Sequence, residues 1–161
     1  MKLNCKFLVT KYSVLIASVL IDPIRGRLSG GVATYVRDDI AANIEISLAF
    51  SNGVVEALCL YCKSNNFMII NLYRQPDVSS SKHRSTSSEF KSALNAISET
   101  LSSISPAPLI IFTGDFNLPH INWENTSTTQ CATPVQKLCF SALKAFINDY
   151  FLTQYVTKPT H

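Results

Sequence analysis

Charge is scarce in this chain. Only 16% of its 161 residues are Asp, Glu, Lys or Arg, against 47% apolar. That balance excludes a disordered polyelectrolyte and describes a globular chain. The length is one domain's worth, enough to bury a sizeable core. A basic cluster is also lacking. The net charge of +3 is compatible with a nucleic-acid partner, but no run of Lys and Arg marks a footprint. A zinc pattern is incomplete: Cys59-x-x-Cys62 has no second Cys-x-x-Cys or His pair and lies in an apolar run. The five cysteines (Cys5, Cys59, Cys62, Cys131, Cys139) therefore read as buried free thiols of a reducing compartment. A long apolar run is missing too. Residues 7–21 are rich in Val, Leu and Ile behind Lys2 and Lys6, as in a signal peptide. Lys11, Tyr12 and Ser13 interrupt them, no small-residue cleavage site precedes Asp22-Pro23, and a bilayer span takes about 20 residues. The expectation is a core strand or helix, or a poorly ordered end, with no membrane partner.

What is present is mostly β signal, then an alternation of helix and strand. Residues 32–36, 44–50, 54–62 and 67–73 predict four strands of an antiparallel meander. Arg37-Asp38-Asp39 and the hairpin dipeptide Asn52-Gly53 punctuate them. In the last strand Ile69, Asn71 and Tyr73 share a face, with Tyr73 at the carboxyl end. Residues 77–85 are Ser-rich, carry Lys82, His83 and Arg84, and read as a solvated loop. Thr86-Ser87-Ser88-Glu89 is a capping box for a helix with Phe90, Leu94, Ile97, Leu101 and Ile104 on one face. Pro106 and Pro108 end it. Thr133-Pro134 caps a second helix whose buried face would be Val135, Leu138, Ala142, Ala145 and Phe146. Residues 151–156 predict a short closing strand. The class is mixed, α/β of α+β type.

The stretch Leu109-Ile110-Ile111-Phe112-Thr113-Gly114-Asp115-Phe116-Asn117-Leu118-Pro119 organises the rest. Four apolar residues without alternation predict a central strand buried on both faces. In extended chain, side chains two apart point the same way, so Asp115 and Asn117 are expected to project together from its carboxyl end. Open α/β sheets build sites there. A carboxylate can orient and deprotonate water, and a neutral amide beside it can donate to a phosphate oxygen. Gly, Asp, Asn and Pro are equally the ordinary residues of a turn.

Gly114-Asp115-Phe116-Asn117 followed closely by Trp123 resembles the endonuclease/exonuclease/phosphatase superfamily, specifically the endonuclease domain of non-LTR (LINE-type) retrotransposons. Gly30-Gly31-Val32-Ala33-Thr34-Tyr35-Val36 resembles its glycine-led strand. Asn71-Leu72-Tyr73-Arg74-Gln75-Pro76 resembles its strand ending in tyrosine and proline, and Gln154-Tyr155-Val156-Thr157-Lys158-Pro159-Thr160 a later segment. The likeness covers about residues 26–161, leaving 1–25 as a less defined segment. It implies a partial two-sheet sandwich flanked by helices and a DNA-nicking phosphodiesterase using Mg²⁺ or Mn²⁺. It implies DNA as partner, and a reverse transcriptase domain in a longer parent protein acting in nucleus or cytoplasm. By this likeness Asp115 handles the attacking water, Asn117 binds the phosphate and Tyr73 contacts it. The family's metal-binding Glu stands upstream of the glycine-led strand, yet residues 1–29 contain no Glu; its closing Ser-Asp-His is also missing. His83, His120, His161 and Asp149 match none of these roles, so the metal ligands are unknown. The chain thus resembles a domain incomplete at both ends, of marginal stability when expressed alone. The alternative is an inactive remnant or small binding domain of the same fold. A sugar- or lipid-phosphate phosphatase of the same superfamily fits less well, because Asn122-Trp123 and the Pro-Thr ending point to the retrotransposon branch.

Overall fold

A computed structural model describes residues 12–18, 32–77 and 87–156. Gly30-Gly31, Lys82, His83, Arg84, the Thr86 cap and the segment from Thr157 onward lie outside the described residues. Four strands form the main sheet: β3 (Ile44–Ser51), β4 (Val55–Cys62), β5 (Phe67–Arg74) and β6 (Leu109–Asp115), in that order. The first three pair antiparallel and β6 joins β5 in parallel. A parallel partner needs a crossover, and the helix α2 (Ser87–Ser102) lies within it.

The predicted meander is thus three strands, not four. β2 (Val32–Arg37) pairs instead with β1 (Tyr12–Ser18) in a separate antiparallel sheet, followed by the short helix α1 (Asp38–Ala41). Strand period alone identifies a strand but not its partner. The Asn52-Gly53 turn forms as expected. Gly53 takes φ +84°, and Asn52 Oδ1 accepts from Val54 N (3.2 Å) and Val55 N (2.9 Å).

One face of the main sheet carries Val55, Ala57, Cys59, Met68, Ile70 and Leu72 against α2 and α3 (Pro134–Asp149). The other carries Leu58, Leu60, Ile69 and Tyr73 against Val32 and Val36 of β2. A sheet thus meets helices on one side and a second small sheet on the other, which is a partial two-sheet α/β sandwich. Helix α2 buries Phe90, Ala93, Leu94, Ile97 and Leu101, with Ile104 packed just beyond its end. In α3 Val135, Ala142 and Phe146 pack on the core as expected, and the rest of the stripe shifts. Gln136, Cys139, Phe140, Leu143 and Phe146 are buried, while Leu138 is 51% exposed and Ala145 is exposed. A polar residue, Gln136, occupies a core position, which an apolar count cannot register.

Two further expectations fail. β6 is not buried on both faces: Ile110 and Phe112 pack on the helix side, while Leu109 (71%) and Ile111 (46%) are exposed on the other. It is the last strand of the described sheet, and the β1–β2 pair covers β4 and β5 instead. Residues 151–156 form no strand; Leu152 N bonds Ile147 O as the chain leaves α3. The polar loop after Trp123 holds a minimal hairpin, β7 (Ile121–Asn122) with β8 (Ser127–Thr128).

The expectation of buried free thiols holds for Cys59, Cys62 and Cys139 but not for Cys131, which is exposed, and Cys5 lies outside the described residues. Among the described residues no three His, Cys, Asp or Glu side chains gather as metal ligands, and no helix is long and apolar enough to cross a membrane. Burial pushes the Cys59 thiol up from 9.0 to about 12. The unfolded chain releases this proton first, so the contribution is whole below pH 9.0 and lost as pH rises toward about 12. By about pH 10 the loss should reach about 1.4 kcal/mol. Urea midpoints at neutral and alkaline pH check it, and Cys59→Val should flatten that part of the slope.

Candidate active site

The parallel pairing of β5 and β6 sets the site. Tyr73, the penultimate residue of β5, stands directly opposite Asp115, the last residue of β6. On its other side Tyr73 stands opposite Glu56 of β4. Glu56, Tyr73 and Asp115 therefore form a row across three strands on one face of the sheet. Glu56 is wholly buried, Tyr73 half-buried and Asp115 exposed. Burial raises the Tyr73 phenol above its ordinary value of 10.0, and the negative charges of Asp115 and Glu56 raise it further. It is a neutral hydroxyl, a donor, across the physiological range.

The route from Asp115 to Asn117 is not extended. Asn117 adopts φ +45°, in the left-handed region that Asn tolerates. Its backbone N–H donates to Asp115 Oδ1 at 3.1 Å, an Asx-type turn. The alternation argument for a shared direction therefore does not hold here. Asn117 is brought to the site another way: its side-chain Nδ2 donates to the carbonyl of Arg74 at 2.6 Å. This ties the turn to the end of β5, one residue from Tyr73. A carboxamide has two N–H donors, and this bond uses one.

Gly114, one residue earlier, makes the close approach feasible. Its φ is +147°, and a Cβ there would lie 1.9 Å from the Leu72 carbonyl oxygen. Behind the turn, Phe116 and Leu118 insert into the core. Phe116 stacks edge-on to Phe112 (5.3 Å between centroids), and Trp123 bridges Phe116 (6.4 Å) and Phe140 of α3 (6.5 Å).

Sequence reasoning missed Arg74. It is wholly buried at the end of β5, where the strand period puts it on the apolar face with Met68, Ile70 and Leu72. That phase was the available signal: a cation at a core position needs a partner. Its guanidinium donates to the Asn117 carbonyl (3.0 Å) and pairs with the Asp77 carboxylate. Asp77 in turn accepts from Gln136 Nε2 at 3.1 Å. Gln136 is also the third residue of the capping box that Thr133 opens on α3 (3.1 and 3.2 Å).

Among the described residues the site holds no cluster that could make a closed metal cage. Mg²⁺ commonly keeps several waters and takes one or two carboxylates plus substrate phosphate. Asp115 offers one exposed carboxylate at this end of the sheet.

A mixed sheet lies between helices and a second sheet, with an Asp-x-Asn turn at the carboxyl end of a parallel strand beside a tyrosine, and the whole is a partial two-sheet α/β sandwich. A family model described as "endonuclease-reverse transcriptase" matches residues 67–160, more than half of the chain. The chain belongs to that family, the endonuclease/exonuclease/phosphatase-type domains of retrotransposon-like proteins. No curated protein and no solved structure matches it.

Proposed function

We propose that this domain hydrolyses phosphodiester bonds in DNA, nicking one strand with a bound Mg²⁺ or Mn²⁺. The observation carrying this reading is the cross-strand pair Tyr73–Asp115 with Asn117 folded back beside it. Asp115 orients water and accepts its proton. Tyr73, held neutral, donates to a non-bridging phosphate oxygen without adding charge. The remaining amide N–H of Asn117 does the same. Asp115 is the residue that would hold the ion, which when bound would supply neutralisation of charge on the phosphate. DNA is the partner, and a reverse transcriptase domain in a longer parent protein would use the nick.

The test is conversion of supercoiled plasmid to open circles by the full chain with Mg²⁺, and its loss with chelator. Tyr73→Phe should slow nicking about a hundredfold. Because the phenol's pKa is raised above 10.0, its ionisation should not bend the pH–rate profile between about pH 7 and 9. A folded wild-type chain that leaves the plasmid supercoiled would instead be an inactive remnant or a small binding domain of the same fold.

A further inference from the structure

The buried cation beside the turn has a function beyond holding the fold. We infer that Arg74 is a positioning residue for phosphate hydrolysis, clamping Asn117 from both ends of one residue. Its backbone carbonyl takes the Asn117 amide (2.6 Å), and its guanidinium takes the Asn117 carbonyl (3.0 Å). Asn117 therefore has its side chain and its main chain fixed to the same partner. With φ at +45°, the turn sits in a shallow conformational well that a free loop would leave readily. The clamp holds it there.

The guanidinium is itself fixed. Asp77 pairs with it, and Gln136 of α3 holds the other oxygen of that carboxylate. A planar fork can address two acceptors in fixed directions at once, and a lysine ammonium cannot reproduce that geometry. The network runs from the first turn of α3 through Asp77 and Arg74 to Asn117, and its terminus lies in the Asp115 turn. Small errors in the position of a phosphate donor cost rate rather than affinity, because the donor acts on the reacting group. Arg74 itself is wholly buried, so it would act through Asn117 and not by direct contact.

This inference rests on the hydrolase reading, and its test separates the two. The full chain, Arg74→Lys, Asn117→Ala and the double variant are compared on an oligonucleotide duplex with Mg²⁺. Arg74→Lys should lower kcat about a hundredfold with KM within about twofold. In the double variant Asn117→Ala should then add less than about threefold, because the clamp and the clamped residue act as one unit. Fully multiplicative losses, or an unchanged kcat, would overturn the clamp. Where Arg74→Lys fails to fold, Asp77→Asn loosens the fork from its far side and should cost about tenfold in kcat; no change there overturns the proposal equally. If the folded wild type does not nick, the hydrolase reading fails and the clamp is judged by nuclear magnetic resonance. A shifted, faster-exchanging Asn117 side-chain amide in Arg74→Lys or Asp77→Asn supports it, and an unmoved signal rejects it.

Discussion

Gly114→Ala should leave no folded protein. The added Cβ would sit 1.9 Å from the Leu72 carbonyl oxygen, 2.8 Å from its carbon and 2.9 Å from the Leu72 nitrogen. All three are backbone atoms of β5, which is fixed on its far side by β4. No rotamer change relieves such a contact; β6 must leave β5 or its end must untwist. The φ of +147° adds strain for any residue with a side chain. The expected loss is about 4 kcal/mol or more, most of a small domain's stability. Thermal melts and soluble yield of the purified chain check it. A Gly114→Ala protein melting within a few degrees of wild type would mean that the end of β6 is not packed as described.

Asp115→Asn should have the opposite profile. The Asp115 side chain is exposed, and its structural duty is to accept from the Asn117 N–H through Oδ1. Asparagine keeps an oxygen there, so the turn and the fold should survive within about 0.5 kcal/mol. What disappears is the negative charge and proton acceptor. On the proposed mechanism nicking should fall about a thousandfold. Melting and nicking measured on one preparation decide the matter. A joint fall would make the carboxylate structural, whereas retained nicking would remove it from the chemistry.

The strands and helices were largely readable because strand period and helix period are local. Residues 44–50 and 67–73 became strands extended by one residue each, and α2 buries the stripe its spacing announced. What was not local was misread. Four apolar residues in a row made β6 look doubly buried, yet coverage depends on which strands of the second sheet reach it. The Asp115–Asn117 relation was inferred from alternation, while a left-handed residue closes a turn instead. Neither Gly114's contact with Leu72 nor Arg74's grip on Asn117 has a signature at fixed spacing, because β5 and β6 lie some forty residues apart in sequence. Asp115 and Tyr73 were each placed at the carboxyl end of a strand by the local pattern, and only their roles came from the family likeness; the register sets them opposite one another.

Trp123 is the sole tryptophan of the chain. It is half-buried between Phe116, inside the Asp115–Asn117 turn, and Phe140 on α3. The domain therefore carries its own optical probe, an indole whose emission depends on whether the Asp115–Asn117 turn is seated against the helix. Excitation of this one fluorophore would follow seating of the turn and its release on unfolding, with no label introduced.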